Sequence, residues 1–264
     1  MGVLNVTPDS FSDGGRWAST DTAVRHAIDL CAEGADLIDV GGESTRPGAG
    51  RVSPAAEQDR VLPVLEELQR LGIRTSIDTL NAETASLSAA AGADIINDVS
   101  GGLADPGMAA VVARTGLTYI AMHWRGHAQA MDALATYDDV VATVVAELTE
   151  RVVALASAGV RRDRIVLDPG LGFSKDAEQN WRVFARLDAF APLGLPVMVG
   201  VSRKRFLAGV LPDSASIIDR DLPTAVLSVL AAQAGVWAVR VHDVAGTRTA
   251  LNVLDRVNSA RIGS

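Results

Sequence analysis

The sequence predicts an α/β fold of the (β/α)8 TIM-barrel type, organised as a single domain over residues 1–264. Three observations carry this reading. Short apolar runs of strand character alternate with helical periodicity eight times, which demands a parallel sheet with right-handed crossovers. Eight units in about 250 residues suit a closed barrel, whereas a doubly wound sheet usually stops at about five to seven strands. The apolar runs repeatedly end in a polar residue, and in a barrel those ends meet at one mouth.

The clearest unit is Ile165-Val166-Leu167-Asp168-Pro169-Gly170-Leu171-Gly172-Phe173. Three β-favouring residues run into a carboxylate, and the proline and glycines then forbid the strand from continuing. Asp168 as a simple helix cap fits poorly, because the next helix begins only around Asp176 to Glu178.

In chain order, the first strand ends at Asn5-Val6 and gives way to the polar loop Thr7 to Gly15, rich in turn residues. Helical periodicity begins near Asp21 and runs to Gly34, a C′ glycine. The strand Leu37 to Val40 enters Gly41-Gly42-Glu43-Ser44-Thr45-Arg46-Pro47-Gly48, a loop suited to an anionic group, although ordinary linkers share this composition. Ser53-Pro54 opens a helix that reaches Gly72. The strand Thr75 to Ile77 ends in Asp78, the helix Asn81 to Ala91 follows, and the strand Asp94 to Ile96 ends in Asn97-Asp98. A helix from Asp105-Pro106 to Thr115 precedes the strand Leu117 to Ala121, which ends in Met122-His123. Arg125 to Tyr137 has no clear period. Asp138 to Ala158 is a long helix, Glu178 to Phe190 the next, and Pro196 to Gly200 the seventh strand, running into Ser202-Arg203-Lys204-Arg205. Leu222 to Ala234, the strand Val239 to His242 and the helix Ala245 to Val257 complete the count.

Composition narrows the function. With 24 basic and 32 acidic residues and a net charge of −8, non-specific nucleic-acid binding and attraction to an anionic membrane are disfavoured. Cys31 is the only cysteine, read as a small buried hydrophobe on a helix, so no disulfide framework or thiolate metal site is expected. No long apolar run or signal segment is evident, and a cytoplasmic location is expected.

The barrel would bring Asn5, Asp78, Asn97, His123, Asp168, Lys204, Arg240 and His242 together. Arg240 and His242 stand two apart on a strand, so they face the same way and suit an oxyanion or phosphate. Pairing of Arg240 with Asp243 is disfavoured, since that offset points to the other face. Asp78, Asn97 and Asp168 call for a ligand rich in N–H donors, such as an amino-pyrimidine edge. Four histidines without metal-ligand spacing argue against a histidine metal centre. Mg2+ held by Asn5, Asp13 and ligand phosphates suits hard oxygen donors better. No nucleophile elbow or P-loop is present, so covalent catalysis by the protein is not indicated.

These blocks are specific enough to carry a resemblance. Leu4 to Gly15 and Asp39 to Gly48 closely resemble the two signatures of the dihydropteroate synthase family of pterin-binding enzymes. Ser76 to Thr79, Ile96 to Gly102, Asp168 to Phe173, Ser202 to Phe206 and Arg240 to Asp243 match its remaining blocks, in order, across essentially the whole chain. Met122 to Gly126 looks like the block after strand five, with His127-Ala128-Gln129 where a proline usually follows.

The resemblance implies condensation of 6-hydroxymethyl-7,8-dihydropterin diphosphate with 4-aminobenzoate, giving 7,8-dihydropteroate and pyrophosphate in folate synthesis. It implies that Asp78, Asn97, Met122, Asp168 and Lys204 hold the pterin. Thr45, Arg46, Arg240 and His242 would hold the diphosphate, with Asn5 on the Mg2+. Phe11, Ser12, Arg46, Pro47, Phe173, Lys204 and Ser202 would shape the aminobenzoate pocket. Asp13, Arg46, Asp168 and Lys204 would carry catalysis, and the protein would form a homodimer.

Two other readings stay open at this level. A barrel methyltransferase acting on a methylated folate would need no diphosphate site, which Arg46 and Lys204 speak against. A non-catalytic pterin-binding paralogue would be expected to have lost loops that are intact here.

Overall fold

A computed structural model describes residues 1–7, 16–43, 52–126 and 133–262. Among these residues eight strands alternate with eight α-helices: β1 (Gly2–Asn5), α1 (Arg16–Ala32), β2 (Ile38–Gly41), α2 (Pro54–Arg70), β3 (Thr75–Asp78), α3 (Ala82–Ala90), β4 (Ile95–Asp98), α4 (Met108–Thr115) and β5 (Thr118–Met122). The second half continues with α5 (Val140–Ser157), β6 (Ile165–Asp168), α6 (Ala177–Ala185), β7 (Met198–Val199), α7 (Asp221–Gln233), β8 (Ala238–Val239) and α8 (Val244–Ile262).

Strands β1 to β6 pair in parallel and in chain order, and β7 pairs with β8. Two seams join these sheets. Leu167 bridges Val197, with Leu167 N–H donating to Pro196 O at 2.8 Å, and Gly2 bridges Val241, with Val3 N–H donating to Val241 O at 3.0 Å. The ring therefore closes, as a (β/α)8 barrel requires.

Strand alternation sorts the side chains. Leu37, Ile95, Ile120, Val166 and Met198 form a small separate core inside the ring. Their neighbours Ile38, Ile96, Tyr119, Ala121, Ile165 and Leu167 belong to the larger core between strands and helices. Two residues further along each strand, the inward position is taken by Asp39, Asn97, Met122 and Asp168. Cys31 sits on α1, half-buried against the larger core. Among the described residues no helix is long and apolar enough to cross a membrane.

Several expected boundaries move. Helix α1 starts at Arg16, ahead of the expected Asp21. Helix α4 starts at Met108 because Asp105 accepts from Gly107 N–H at 2.8 Å and Ala82 N–H at 2.9 Å, which ties its side chain to the head of α3. Helix α6 ends at Ala185, short of the expected Phe190, and the chain continues as a 3-10 segment, Leu187–Leu193. The seventh and eighth strands shrink to two residues each, although Arg240 N–H still donates to Val199 O at 2.9 Å. Ser53 caps α2 ahead of Pro54 as expected, and the structure adds a capping box of Asp176 with Gln179 on α6.

Candidate active site

The inward strand ends open into a cavity of about 830 Å3. Asn5, Asn97, Met122, Asp168, Arg240 and His242 line it from the strand ends, and Phe173, Ser202 and Lys204 from the following loops. Asp78 lies one contact behind, 7% exposed and bonded to Arg240. Phe11, Ser12, Asp13, Thr45, Arg46 and Pro47 lie outside the described residues.

His123 does not join the others. It follows inward Met122, so it falls on the outer side of the wall, where it is 2% exposed and bonds Glu147 of α5 at 2.8 Å. Of the eight polar ends expected to converge, His123 is the one turned outward.

Arg240 is the hub. Its Nε donates to Asp39 Oδ2 at 2.6 Å and its Nη2 to Asp78 Oδ2 at 2.8 Å, while Asn97 Nδ2 donates to Asp39 Oδ2 at 3.0 Å. The arginine thus pairs with acids across the ring and not with Asp243, which accepts from Gly246 N–H at 3.0 Å at the head of α8. Asp39 was not expected in the site. Its signal was a charged residue in the inward register of an apolar strand, Ile38-Asp39-Val40. Its Oδ1 is buried without a hydrogen-bond partner among the described residues.

Asp168 Oδ1 accepts Gly170 N–H at 2.8 Å, so the carboxylate also shapes its own turn. The turn is tight: a Cβ on Gly170 would meet His123 O at 2.3 Å. Ser202 Oγ lies 2.9 Å from His242 Nδ1 and accepts His242 N–H at 3.1 Å, fixing the imidazole. Arg203 holds a left-handed backbone (φ 59°) and makes two 2.7 Å bonds to Asp221, which turns Ser202 and Lys204 toward the cavity. Lys204 Nζ donates to Leu171 O and stands 4.3 Å from the Phe173 ring centre.

Burial dominates the electrostatics. It pushes the Asp78 carboxyl up to about 7, opposed by Arg240 and reinforced by Asp39. It raises Asp168 too, against the pull of Lys204. Burial brings the Lys204 ammonium down to about 8, with Asp168 resisting. The same desolvation works against the Arg240 charge, but Asp39 and Asp78 outweigh it and hold the guanidinium above its usual value. Carboxyls poised in this way accept hydrogen bonds from a ligand's N–H groups at low desolvation cost to the pair. Among the described residues no cluster of three or more His, Cys, Asp or Glu could hold a metal. Asn5 fits as a single hard oxygen donor, of the kind that Mg2+ combines with substrate phosphates.

The family model described as "pterin binding enzyme" matches residues 1–242. The dihydropteroate synthase of Mycobacterium leprae is 47% identical over 259 residues, covering 96% of this chain and 91% of that protein. That of Escherichia coli K12 is 42% identical over 262 residues, covering 99% and 92%. A solved Xanthomonas albilineans dihydropteroate synthase with 4-aminobenzoic acid superposes with a TM-score of 0.90 at 42% identity, covering 98% and 92%. With the family match spanning nearly the whole barrel and full-length relatives this similar, the chain belongs to the dihydropteroate synthase family of pterin-binding enzymes.

Proposed function

We propose that the barrel mouth runs the family's condensation with the residues assembled there in distinct roles. The enzyme is a transferase of folate biosynthesis: it joins 6-hydroxymethyl-7,8-dihydropterin diphosphate to 4-aminobenzoate, giving 7,8-dihydropteroate and pyrophosphate. The single observation that supports the assignment of roles is one cavity lined by Asp168, Asn5 and Asn97 beside Lys204, Arg240 and His242, with Asp78 directly behind Arg240.

Asp78, Asn97 and Asp168 receive the donor-rich pterin edge, with Met122 packing on the ring and Lys204 on its acceptor groups. Arg240 and His242, with Thr45 and Arg46, hold the diphosphate. Stabilising charge on that group makes it a better leaving group. The bond between the pterin methylene carbon and the diphosphate oxygen breaks, and the electron pair leaves with pyrophosphate. The arylamine nitrogen then bonds to that carbon and releases a proton. Asp13 or Asp168 stabilises the cationic methylene, so neither a covalent enzyme intermediate nor an essential general base is required. Phe11, Ser12, Pro47, Phe173 and Ser202 enclose the aminobenzoate. Asn5 would hold a Mg2+ ion, which would supply positive charge for the diphosphate when bound.

We further propose one barrel domain in the cytoplasm and a homodimer. Leu222, Val226 and Leu230, four residues apart on α7, are 73, 52 and 47% exposed, and form an apolar stripe suited to a second copy. Light scattering after size exclusion that returned only monomer would remove the dimer.

The decisive assay mixes both substrates with Mg2+ and follows pyrophosphate colorimetrically. Release is expected only when both are present, and a sulfonamide should compete with 4-aminobenzoate. No release under these conditions would overturn the reading.

A further inference from the structure

The turn between β6 and α6 contains three left-handed residues in a short span, Gly170 (φ 68°), Gly172 (φ 79°) and Ser174 (φ 46°). Ser174 carries a Cβ, which this region disfavours, so the surroundings must hold it in place. The buried side chain of Lys175 does so. Its Nζ donates to Gly170 O at 3.1 Å and Phe173 O at 3.2 Å, and lies 3.0 Å from His123 Nδ1.

An ammonium has three donors and no acceptor, so these contacts use all three protons and make His123 Nδ1 an acceptor. The imidazole proton then sits on Nε2 and is donated to Glu147 Oε2 at 2.8 Å. Glu147 is gripped by Arg125 Nη2 at 2.5 Å, and the Arg125 guanidinium lies 4.0 Å over the Tyr137 ring. Tyr137 closes the circle by donating its hydroxyl to Ser174 O at 2.8 Å. From the cavity side the same turn is held by Lys204, through Leu171 O and the Phe173 ring. Gly172 is what admits that lysine, since a Cβ there would come 2.4 Å from Lys204 Cδ.

We propose that Lys175 is a positioning residue for the condensation: its ammonium holds the Gly170–Phe173 turn so that Phe173 and Lys204 face the arylamine acceptor. This rests on the assignment of Phe173 and Lys204 to the acceptor side made above. Removing the ammonium leaves two carbonyls and an imidazole nitrogen without their donor, and the strained turn relaxes away from the cavity.

The groups facing Lys175 are Asp168 from β6, Lys204 beyond β7, His123 at the end of β5, and Arg125 and Glu147 from the β5–α5 side. Burial brings its ammonium down to about 7, against the opposing pull of Asp168. His123 is held neutral, its pKa lowered to about 4 mainly by burial and by Lys175. As pH rises, Lys175 therefore loses its proton before Lys204, which sits at about 8.

The test is Lys175→Met in the full chain, with pyrophosphate release measured for each substrate in turn across the pH range. The KM for 4-aminobenzoate should rise roughly tenfold or more while kcat and the KM for the pterin diphosphate change by less than about threefold. The alkaline decline of kcat/KM near pH 7 should vanish. An unchanged KM and pH profile, or equal losses with both substrates, would overturn the role. Should Lys175→Met fail to fold, Glu147→Gln decides: Glu147 raises the Lys175 pKa, so its loss must shift the alkaline limb to lower pH, and a limb that stays put refutes the proposal. Failure of the parent enzyme to release pyrophosphate would fault the functional reading itself. A competent parent beside an indifferent Lys175→Met would fault only the positioning role.

Discussion

The wall β1 to β6 and the seam β7 to β8 differ in build and in charge. The wall has strands of four or five residues, and apart from Met122 on β5 its inward ends are acids and amides: Asn5, Asp39, Asp78, Asn97 and Asp168. The seam has two-residue strands, and the chain just beyond them supplies Lys204, Arg240 and His242. The poorly laddered part is thus also the cationic part. Arg240 reaches from it to Asp39 on β2 and Asp78 on β3. The teaching is that the site is also a tie across the barrel: ion pairs hold seam to wall where backbone hydrogen bonds are few.

Arg240→Met should break that comparison most severely. Removing one partner of a buried pair leaves Asp39 and Asp78 uncompensated and costs about 3–5 kcal/mol. Urea denaturation should show the lower midpoint, and a variant within about 0.5 kcal/mol of the parent would show that the tie carries no stability.

The pH dependence of stability separates the two regions by sign. Asp78 rises from 3.8 to about 7 on folding, so between those values the folded state binds more protons and stability falls as pH rises. Lys204 drops from 10.5 to about 8, so between about 8 and 10.5 the unfolded state binds more protons and stability rises with pH. Melting curves of Asp78→Asn should lose part of the first slope and keep the second. If both slopes survive, Asp78 is not the titrating group.

The smallest effect concerns the support of the seam. Asp221→Asn weakens the pair with Arg203, whose side chains are 27 and 14% exposed, and should cost about 1 kcal/mol. Because Arg203 lies between Ser202 and Lys204, turnover should fall with it. Unchanged stability and turnover would show that the left-handed Arg203 needs no such clamp.

Much of this was legible in the residues. Alternating periodicity revealed the barrel, Ser53-Pro54 marked the head of α2, and Pro169 with Gly170 stopped β6 at Asp168, because each of these depends on neighbours only a few positions away. His123 was misplaced by taking the end of a strand as a point instead of a parity: one step past Met122 reverses the face. Lys175 gave no signal, since its three partners come together only when β5 and the β6–α6 turn pack.

The sequence by itself determined which residue types stand at the strand ends, and, through period-two alternation, which of them face inward. Only the tertiary structure decided their partners. Arg240 meets an aspartate 201 positions away and another 162 away, distances that closure of the ring spans and local preference does not encode. Burial then set the protonation of these groups, because desolvation depends on what packs around a charge and not on its neighbours in the chain.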